Sequence, residues 1–294
     1  MIPSLLILVA SAVALSACTS AAQVATIDVY TPIHPATANS LTMDAAILRK
    51  RLRVIGDSSD MASVRAMKVV ITGHRLKVPA TDLDQVGHFY IRPVLCGAPA
   101  YSPTVAGGIV TPSPLPRCQS QYATTAANLD LNSDIGQPTN TIGPDPIFAS
   151  VPSTSADDVD PSNSVLLPTD PKAGAQQYAR FVLGKASLDA SAIASASALF
   201  DNSIDAWAVT YTLTPSGSRA WDQVAEANFH QYVALDLDGL VMSAPLIQPN
   251  QSSFTSFDGR GEISGNFNAV SAKALAAVLA SGPLVAPLRL QTGH

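Results

Sequence analysis

The composition of the chain changes between Ala98 and Pro171. Of the 22 prolines in the whole chain, twelve lie in this stretch, together with abundant serine and threonine. All the carboxylates of this stretch are aspartates. Such a composition cannot offset the entropy of ordering with a core of its own. We therefore predict a largely disordered, Pro/Ser/Thr-rich insertion over residues 98–172, with folded regions before and after it.

The first residues have the pattern of an export signal. The segment Leu5 to Leu15 is apolar, and Ser16, Ala17 and Cys18 follow it, as in a lipoprotein signal peptide. About a dozen apolar residues are too few to cross ~30 Å of hydrocarbon. We predict a signal peptide over residues 1–17 and an acylated Cys18 that anchors the chain to the outer face of a bacterial cell membrane. The alternative is an ordinary signal peptide whose cleavage removes Cys18.

With Cys18 acylated, Cys96 and Cys118 remain as a pair in an oxidising, extracytoplasmic compartment. A disulfide between them would close a loop of about 21 residues and stabilise the fold by roughly 3 kcal/mol. Two free buried thiols are the alternative.

Periodicity and capping residues predict an α+β chain. In the N-terminal region Thr42 is the predicted N-cap of a helix with one apolar face, which ends at Gly56. Near the C-terminus Asp238-Gly239 predicts a two-residue hairpin turn. The other predicted elements after the insertion are a strand at Trp207–Leu213, a helix from Thr214-Pro215, a helix at Val270–Ser281 and a final strand at Val285–Leu290.

The hairpin region carries a resemblance to a known family. Residues 233–247, V-A-L-D-L-D-G-L-V-M-S-A-P-L-I, resemble the "V-A-I-V-L-D-G-x-V-x-S-A-P-x-I" signature of the P1 extracytoplasmic domain of SecD, a membrane subunit that assists Sec-dependent export. Residues 263–267 resemble the "I-S-G-N-F" of that family, and residues 89–95 its "L-x-F-R-P-V-L" strand. The signature residues Asp238, Gly239, Ser243, Ala244 and Pro245 are expected to build a structural hairpin.

The resemblance implies a small base made from the N- and C-terminal segments, with an α+β head inserted between them. We expect the base-like region at residues 18–97, the SecDF P1 head-like subdomain at 173–283, and a C-terminal strand at 284–294 that returns to the base. A lipid anchor stands where the first SecD membrane helix would be, and the chain ends where the second would begin. We therefore expect a stand-alone lipoprotein that is not itself a proton-driven motor.

Two functions remain open. The first is a membrane-anchored binding module that assists Sec-dependent export or late folding, with unfolded exported polypeptides or the Sec translocon as partners. The second is a structural or interaction lipoprotein of the envelope without an export role. An exposed apolar groove on the head would favour the first, and a uniformly polar surface the second.

No arrangement of residues indicates catalysis, a cofactor or a metal. The five histidines lack metal-ligand spacing, and Ser243 lacks the G-x-S-x-G context of a nucleophile. Asp236 and Asp238 share a strand face, but hairpin geometry accounts for Asp238, and we expect Asp236→Asn to leave the fold nearly intact. The net charge of −5 argues against nucleic acid as a partner. We predict that the protein is not an enzyme.

Overall fold

The computed structural model describes residues 26–74, 76–103, 110–125, 128, 142–173, 176–202 and 205–291. Its helices are α1 (Ala38–Ile55), α2 (Pro215–Ala227) and α3 (Ala269–Ser281). Its strands are β1 (Thr26–Pro32), β2 (Met61–Arg65), β3 (Lys68–Gly73), β4 (Phe89–Ala98), β5 (Val165–Pro168), β6 (Arg180–Leu183), β7 (Leu188–Asp189), β8 (Ile193–Asp201), β9 (Ala206–Leu213), β10 (Val233–Leu237), β11 (Leu240–Ser243), β12 (Arg260–Phe267) and β13 (Leu288–Gln291). None of these helices is long and apolar enough to cross a membrane.

A four-stranded sheet in the order β13-β1-β3-β2 brings together the N- and C-terminal segments. Val29 of β1 lies opposite Gln291 of β13 in an antiparallel pair. The carboxylate of Asp44, on α1, accepts hydrogen bonds from the backbone N–H groups of Val285 at 2.6 Å and Ala286 at 3.1 Å. The predicted base, built from the two ends of the sequence, is confirmed.

The helix of the base begins earlier than the sequence analysis predicts. It starts at Ala38, and Thr37 is its N-cap: the Thr37 hydroxyl accepts from the Ser40 N–H, and the Ser40 hydroxyl accepts from the Thr37 N–H, both at 3.1 Å. The hydroxyl of Thr42, the predicted N-cap, donates within the helix to the Ala38 carbonyl at 2.8 Å. The helix ends as predicted, with Gly56 in the left-handed conformation.

Two further sheets build the rest of the molecule. One has the order β11-β10-β4-β6-β5, with β7 also paired to β4. The other is three-stranded, in the order β12-β9-β8. Thr214 caps α2 and Pro215 is its first residue, as the sequence predicts. The long strand β4 pairs with β10 through residues 89–93 and with β6 through residues 94–98. It therefore links the two halves of the central sheet.

Helix α3 lines two hydrophobic cores at once. Its residues Ala274 and Ala277 belong to the core of the base, together with the apolar face of α1. Its residues Leu275, Ala276 and Leu279 belong to the core of the head. The small alanine side chains let α1 and α3 pack closely, and the helix forms a wall shared by base and head.

Arg51 fastens this shared wall to the base. Its side chain leaves α1 and is buried, and among the described residues it donates to neutral oxygen atoms. The acceptors are the Ser281 hydroxyl at 3.0 Å, the carbonyls of Leu83 and Gln85 at 2.6 Å, and those of Val86 and Gly282 at 3.3 and 3.2 Å. Burial lowers the pKa of Arg51 to about 10, and the nearby carboxylate of Asp238 opposes that shift. Arg51 therefore stays charged at neutral pH and holds α1, residues 83–86 and the end of α3 together.

Much of the stretch 98–172 is folded, contrary to the predicted disorder. Phe148 and Leu166 are buried in a core that they share with β4 and β6. The guanidinium of Arg180 donates to the carbonyls of Pro99 at 2.7 Å and Phe148 at 2.6 Å. The prediction is wrong for the described residues because this stretch needs no core of its own: it covers a sheet that already exists. Residues 104–109, 126–127 and 129–141 lie outside the described part of the chain.

Candidate functional site

The hairpin between β10 and β11 has the predicted two-residue turn. Asp238 and Gly239 both have positive φ, 49° and 82°, which fits the primed turns that favour this residue pair. The backbone N–H groups of Gly87 and His88 donate to the Asp238 carboxylate at 2.9 and 2.8 Å. Asp238 therefore ties the turn to the start of β4.

The rest of the signature also makes backbone contacts. Ser243 is the last residue of β11. The N–H of Ala244 donates to Oε1 of Gln176 at 3.2 Å, and the carbonyl of Pro245 accepts from the Val233 N–H at 3.1 Å. These contacts fix the path of the chain after the hairpin.

Gly239→Val should lower the free energy of unfolding by about 1–3 kcal/mol, because a branched residue is strained at this positive φ. A Cβ at position 239 would also lie 3.2 Å from Cα of Ala156. Gly143→Val is the matched control, since its Cβ would meet no atom within 4 Å. Thermal melts of both variants measure the effect. Equal melting temperatures for Gly239→Val and Gly143→Val would contradict the assigned turn.

Arg92 and Asp236 form an ion pair with no exposed surface on either side chain. Nε of Arg92 lies 3.0 Å from Oδ2 of Asp236, on the neighbouring strands β4 and β10. The guanidinium also donates to the carbonyls of Asn163 and Gly184, both at 3.0 Å. Burial raises the pKa of the Asp236 carboxyl, and the adjacent guanidinium opposes that rise. The pair joins β4, β10 and the segment around Asn163.

This pair contradicts the expectation that Asp236→Asn leaves the fold nearly intact, because the substitution would leave the Arg92 charge buried without its counter-ion. A sequence signal was available. Arg92 stands within the otherwise apolar F-Y-I-R-P-V-L, and Asp236 within V-A-L-D-L. Opposite charges inside two apolar strands are typical of a buried ion pair, since a lone buried charge is costly.

The cysteine sites stand as follows. Cys96, buried on β4, is joined by a disulfide to Cys118. The bond fastens residues 110–125 to the central sheet. Cys18, the predicted site of acylation, lies outside the described residues, as does the whole predicted signal peptide.

Within the described part of the chain, no three His, Cys, Asp or Glu side chains are grouped so as to hold a metal ion.

Within the part of the chain that the structure describes, strand β8 has an open edge. It is the outermost strand of the order β12-β9-β8, and its principal contacts are with β9 and α3. Its sequence is I-A-S-A-S-A-L-F-D, in which only Asp201 is charged. Exposed edges are usually protected by charges, prolines or bulges. The opposite edge, β12, has Arg260, Glu262 and a register shift before Phe267. Strand β8 has a register shift of its own between Ile193 and Ser195, but from Ser195 to Phe200 it has no bulge, proline or charge.

The end of β8 carries apolar side chains on both faces of its sheet, because successive residues of a strand point to opposite sides. Leu199 lies on one face, and Phe200 with its cross-strand partner Trp207 lies on the other. We call these three residues the apolar patch. Leu199 is 51% exposed and Phe200 is 37% exposed. The ring of Phe200 meets that of Trp207 edge to face, with 5.6 Å between the ring centroids. An unpaired strand edge can pair with the backbone of another chain, and these side chains place apolar surface beside it.

A cleft of about 460 Å³ lies at the other end of β8, between base and head. Its apolar lining includes Phe89, Ile193 and Leu279, and the charged residues Lys50 and Asp189 also border it. Ile193 is the first residue of β8, so the open edge runs from this cleft to the apolar patch. The surface is thus not uniformly polar, which favours the binding-module hypothesis.

Comparison with known proteins gives the same fold. Residues 165–286 match the family "SecDF, P1 head subdomain". The protein translocase subunit SecD of Endomicrobium trichonymphae is 37% identical over 110 residues, which cover 37% of this chain and 22% of that relative. SecD of Acetobacter pasteurianus is 33% identical over 107 residues, covering 36% and 20%. The chain thus spans about a fifth of the length of these relatives.

A crystal structure of SecDF in its super-membrane-facing form aligns with 90% of this chain and 29% of that one, with a TM-score of 0.53 and 20% sequence identity. This likeness concerns the fold. The predicted α+β fold of the SecD P1 kind is confirmed, and so is the similarity of the head to SecD.

Proposed function

We propose that this protein is an extracytoplasmic binding module that assists Sec-dependent protein export or the late folding of exported polypeptides. The observation that carries the proposal is the match of residues 165–286 to the SecDF P1 head subdomain. The relatives are named protein translocase subunit SecD. The partners in this proposal are unfolded exported polypeptides or the Sec translocon.

The surface chemistry supports a binding role. Unfolded polypeptides share no charge pattern, but they expose apolar side chains and unpaired backbone groups. The apolar patch and the open edge of β8 offer both kinds of contact. By contrast, the carboxylates of Asp236 and Asp238 are engaged in structural contacts, so neither serves a reaction in this proposal.

Photo-crosslinking in native membranes tests the proposal. A photoreactive residue replaces Leu199 or Phe200, and the matched control places it at Met61, which is 56% exposed on β2 of the base. Exported polypeptides or translocon subunits, identified by mass spectrometry from the β8 positions and not from Met61, are the expected result. Crosslinks only to structural components of the envelope would instead support the alternative, an interaction lipoprotein without an export role.

The proposal includes a lipid anchor at Cys18. Residues 19–25 would span at most about 25 Å when fully extended, so an anchored base would stay close to the bilayer surface. Such proximity suits a module that meets chains as they leave the membrane.

Cys18→Ala should abolish labelling by a palmitate analogue and release the protein from the membrane fraction. The reason is that acyl chains contribute about 0.8 kcal/mol for each buried CH₂ group, and the variant has no thiol to carry them. Cys118→Ala is the control: it removes the partner of Cys96 but should keep the label. Persistent labelling of Cys18→Ala would refute the anchor.

A further inference from the structure

We propose that the open edge of β8 binds an extended segment of an unfolded polypeptide as an additional strand of the β12-β9-β8 sheet. The inference rests on the proposed function and specifies how its client is held. In an antiparallel sheet every second residue of an edge strand directs its N–H and C=O away from the neighbouring strand. Beyond the register shift at its start, residues 195–201 of β8 therefore present a regular row of backbone donors and acceptors, and an extended peptide has the complementary row.

The side chains of β8 explain why such binding would tolerate many sequences. Residues 194–198 are A-S-A-S-A, five small side chains in succession. The hydroxyls of Ser195 and Ser197 already pair with those of Thr212 and Thr210, at 2.7 and 3.1 Å. The solvent face of this run therefore offers a client little to match except the backbone, which is common to all polypeptides.

The apolar patch should make one end of the β8 edge prefer apolar client segments. Leu199 and Phe200 follow the small residues directly, and Trp207 supports Phe200 from the neighbouring strand. A client strand paired with β8 would place its own side chains beside Leu199. Asp201 and Asp205 stand just beyond the patch, so the preferred segment is uncharged and apolar where it meets Leu199, and free of acidic residues at that end.

A second copy of the protein is a poorer occupant of this edge. Two β8 edges paired with each other would bring together mainly alanine and serine side chains. Stable protein interfaces bury about 1,200 Å² or more in total, and two edge strands with small side chains would supply little apolar contact toward that area. An unfolded client has no globular surface that would hinder its approach to the edge, and it can also reach the cleft beside Ile193.

The test uses the purified protein and two fluorescent probe peptides. Both alternate valine with threonine and have a short lysine tail, but the second is N-methylated along its backbone and cannot donate strand hydrogen bonds. Fluorescence anisotropy should show at least tenfold weaker binding of the methylated peptide. Hydrogen exchange should show that the unmodified peptide protects amides of β8 and leaves those of β12 unchanged.

Variants locate the site. Leu199→Lys should weaken binding of the unmodified peptide at least fivefold, because lysine protects an edge and removes an apolar contact. Met61→Lys, at an exposed apolar position of another edge strand, should change binding less than twofold. Unchanged thermal melts show that both variants are folded.

The outcomes separate the inference from the proposed function. Equal binding of both peptides, or protection of β12 instead of β8, would overturn strand addition while leaving polypeptide binding in place. Failure of both peptides to bind would count against both. A protein whose β8 amides are protected by dimerisation before any peptide is added would also overturn the inference.

Discussion

Replacing Asp236 by asparagine should lower the free energy of unfolding by about 3–5 kcal/mol, the usual cost of breaking a buried ion pair from one side. Arg92 and Asp236 are both fully buried, with 3.0 Å between Nε and Oδ2. Asparagine keeps the shape and one hydrogen bond, but it leaves the guanidinium charge without compensation in a medium of low dielectric constant. Burial raises the pKa of Asp236 to about 7, so chemical denaturation monitored by circular dichroism should measure the loss at a pH above that value, where the carboxylate is ionised.

Asp258→Asn is the control for this prediction, because Asp258 is exposed and asparagine tolerates its positive φ. It should change stability by less than about 0.5 kcal/mol. A double variant, Arg92→Met with Asp236→Asn, should lose less stability than the sum of the two single changes, since the second change removes a charge that the first has orphaned. An unfolding curve of Asp236→Asn that overlays the wild type would show that the pair contributes nothing.

Arg51→Met should cost about 3 kcal/mol or more, because a hydrogen bond to a charged donor contributes ~1.5–3 kcal/mol and Arg51 makes several. Methionine fills a similar volume, so the loss reports the polar contacts rather than a cavity. The stability of Arg51→Lys should lie between those of the wild type and Arg51→Met, because one ammonium group cannot reach all the acceptors that the wider guanidinium reaches.

The control for Arg51 lies two residues further along the same helix. Arg53 is exposed, and Arg53→Met should alter stability by less than about 0.5 kcal/mol. Urea titration of all three variants ranks them. If Arg51→Met and Arg53→Met had the same midpoint, the buried guanidinium would have no role in joining α1 to α3.

Local sequence patterns predicted the features that depend on local geometry. Asp238-Gly239 determines its turn because few residue pairs adopt two positive φ angles, and Gly56 ends α1 for a related reason. The predicted N-cap of α1, Thr42, lies five residues after the observed N-cap, Thr37. Both side chains carry the same capping hydroxyl, and only the direction in which the chain enters the helix selects Thr37. Features that depend on non-local partners were missed. Nothing near Phe148 in the sequence indicates that it packs against β4.

The position of β8 at the edge of its sheet could not be predicted for the same reason. The alternation of residues 193–201 is compatible with a central strand or an edge strand, and only the sheet order β12-β9-β8 shows that one side is open. The ion pair of Arg92 and Asp236 could be predicted in part. The sequence shows each charge within an apolar strand, but the contact between the two side chains depends on the pairing of β4 with β10.

The sharing of α3 has a consequence for the modularity of this fold. A head cut away from its base would carry Ala274 and Ala277 as an uncovered apolar stripe, and a base without the head would lose one wall. The two parts are distinct in outline but are not interchangeable units that could be recombined freely. The β8 edge therefore cannot be transferred to another protein by itself, because β8 packs on α3, and α3 in turn packs on α1 of the base.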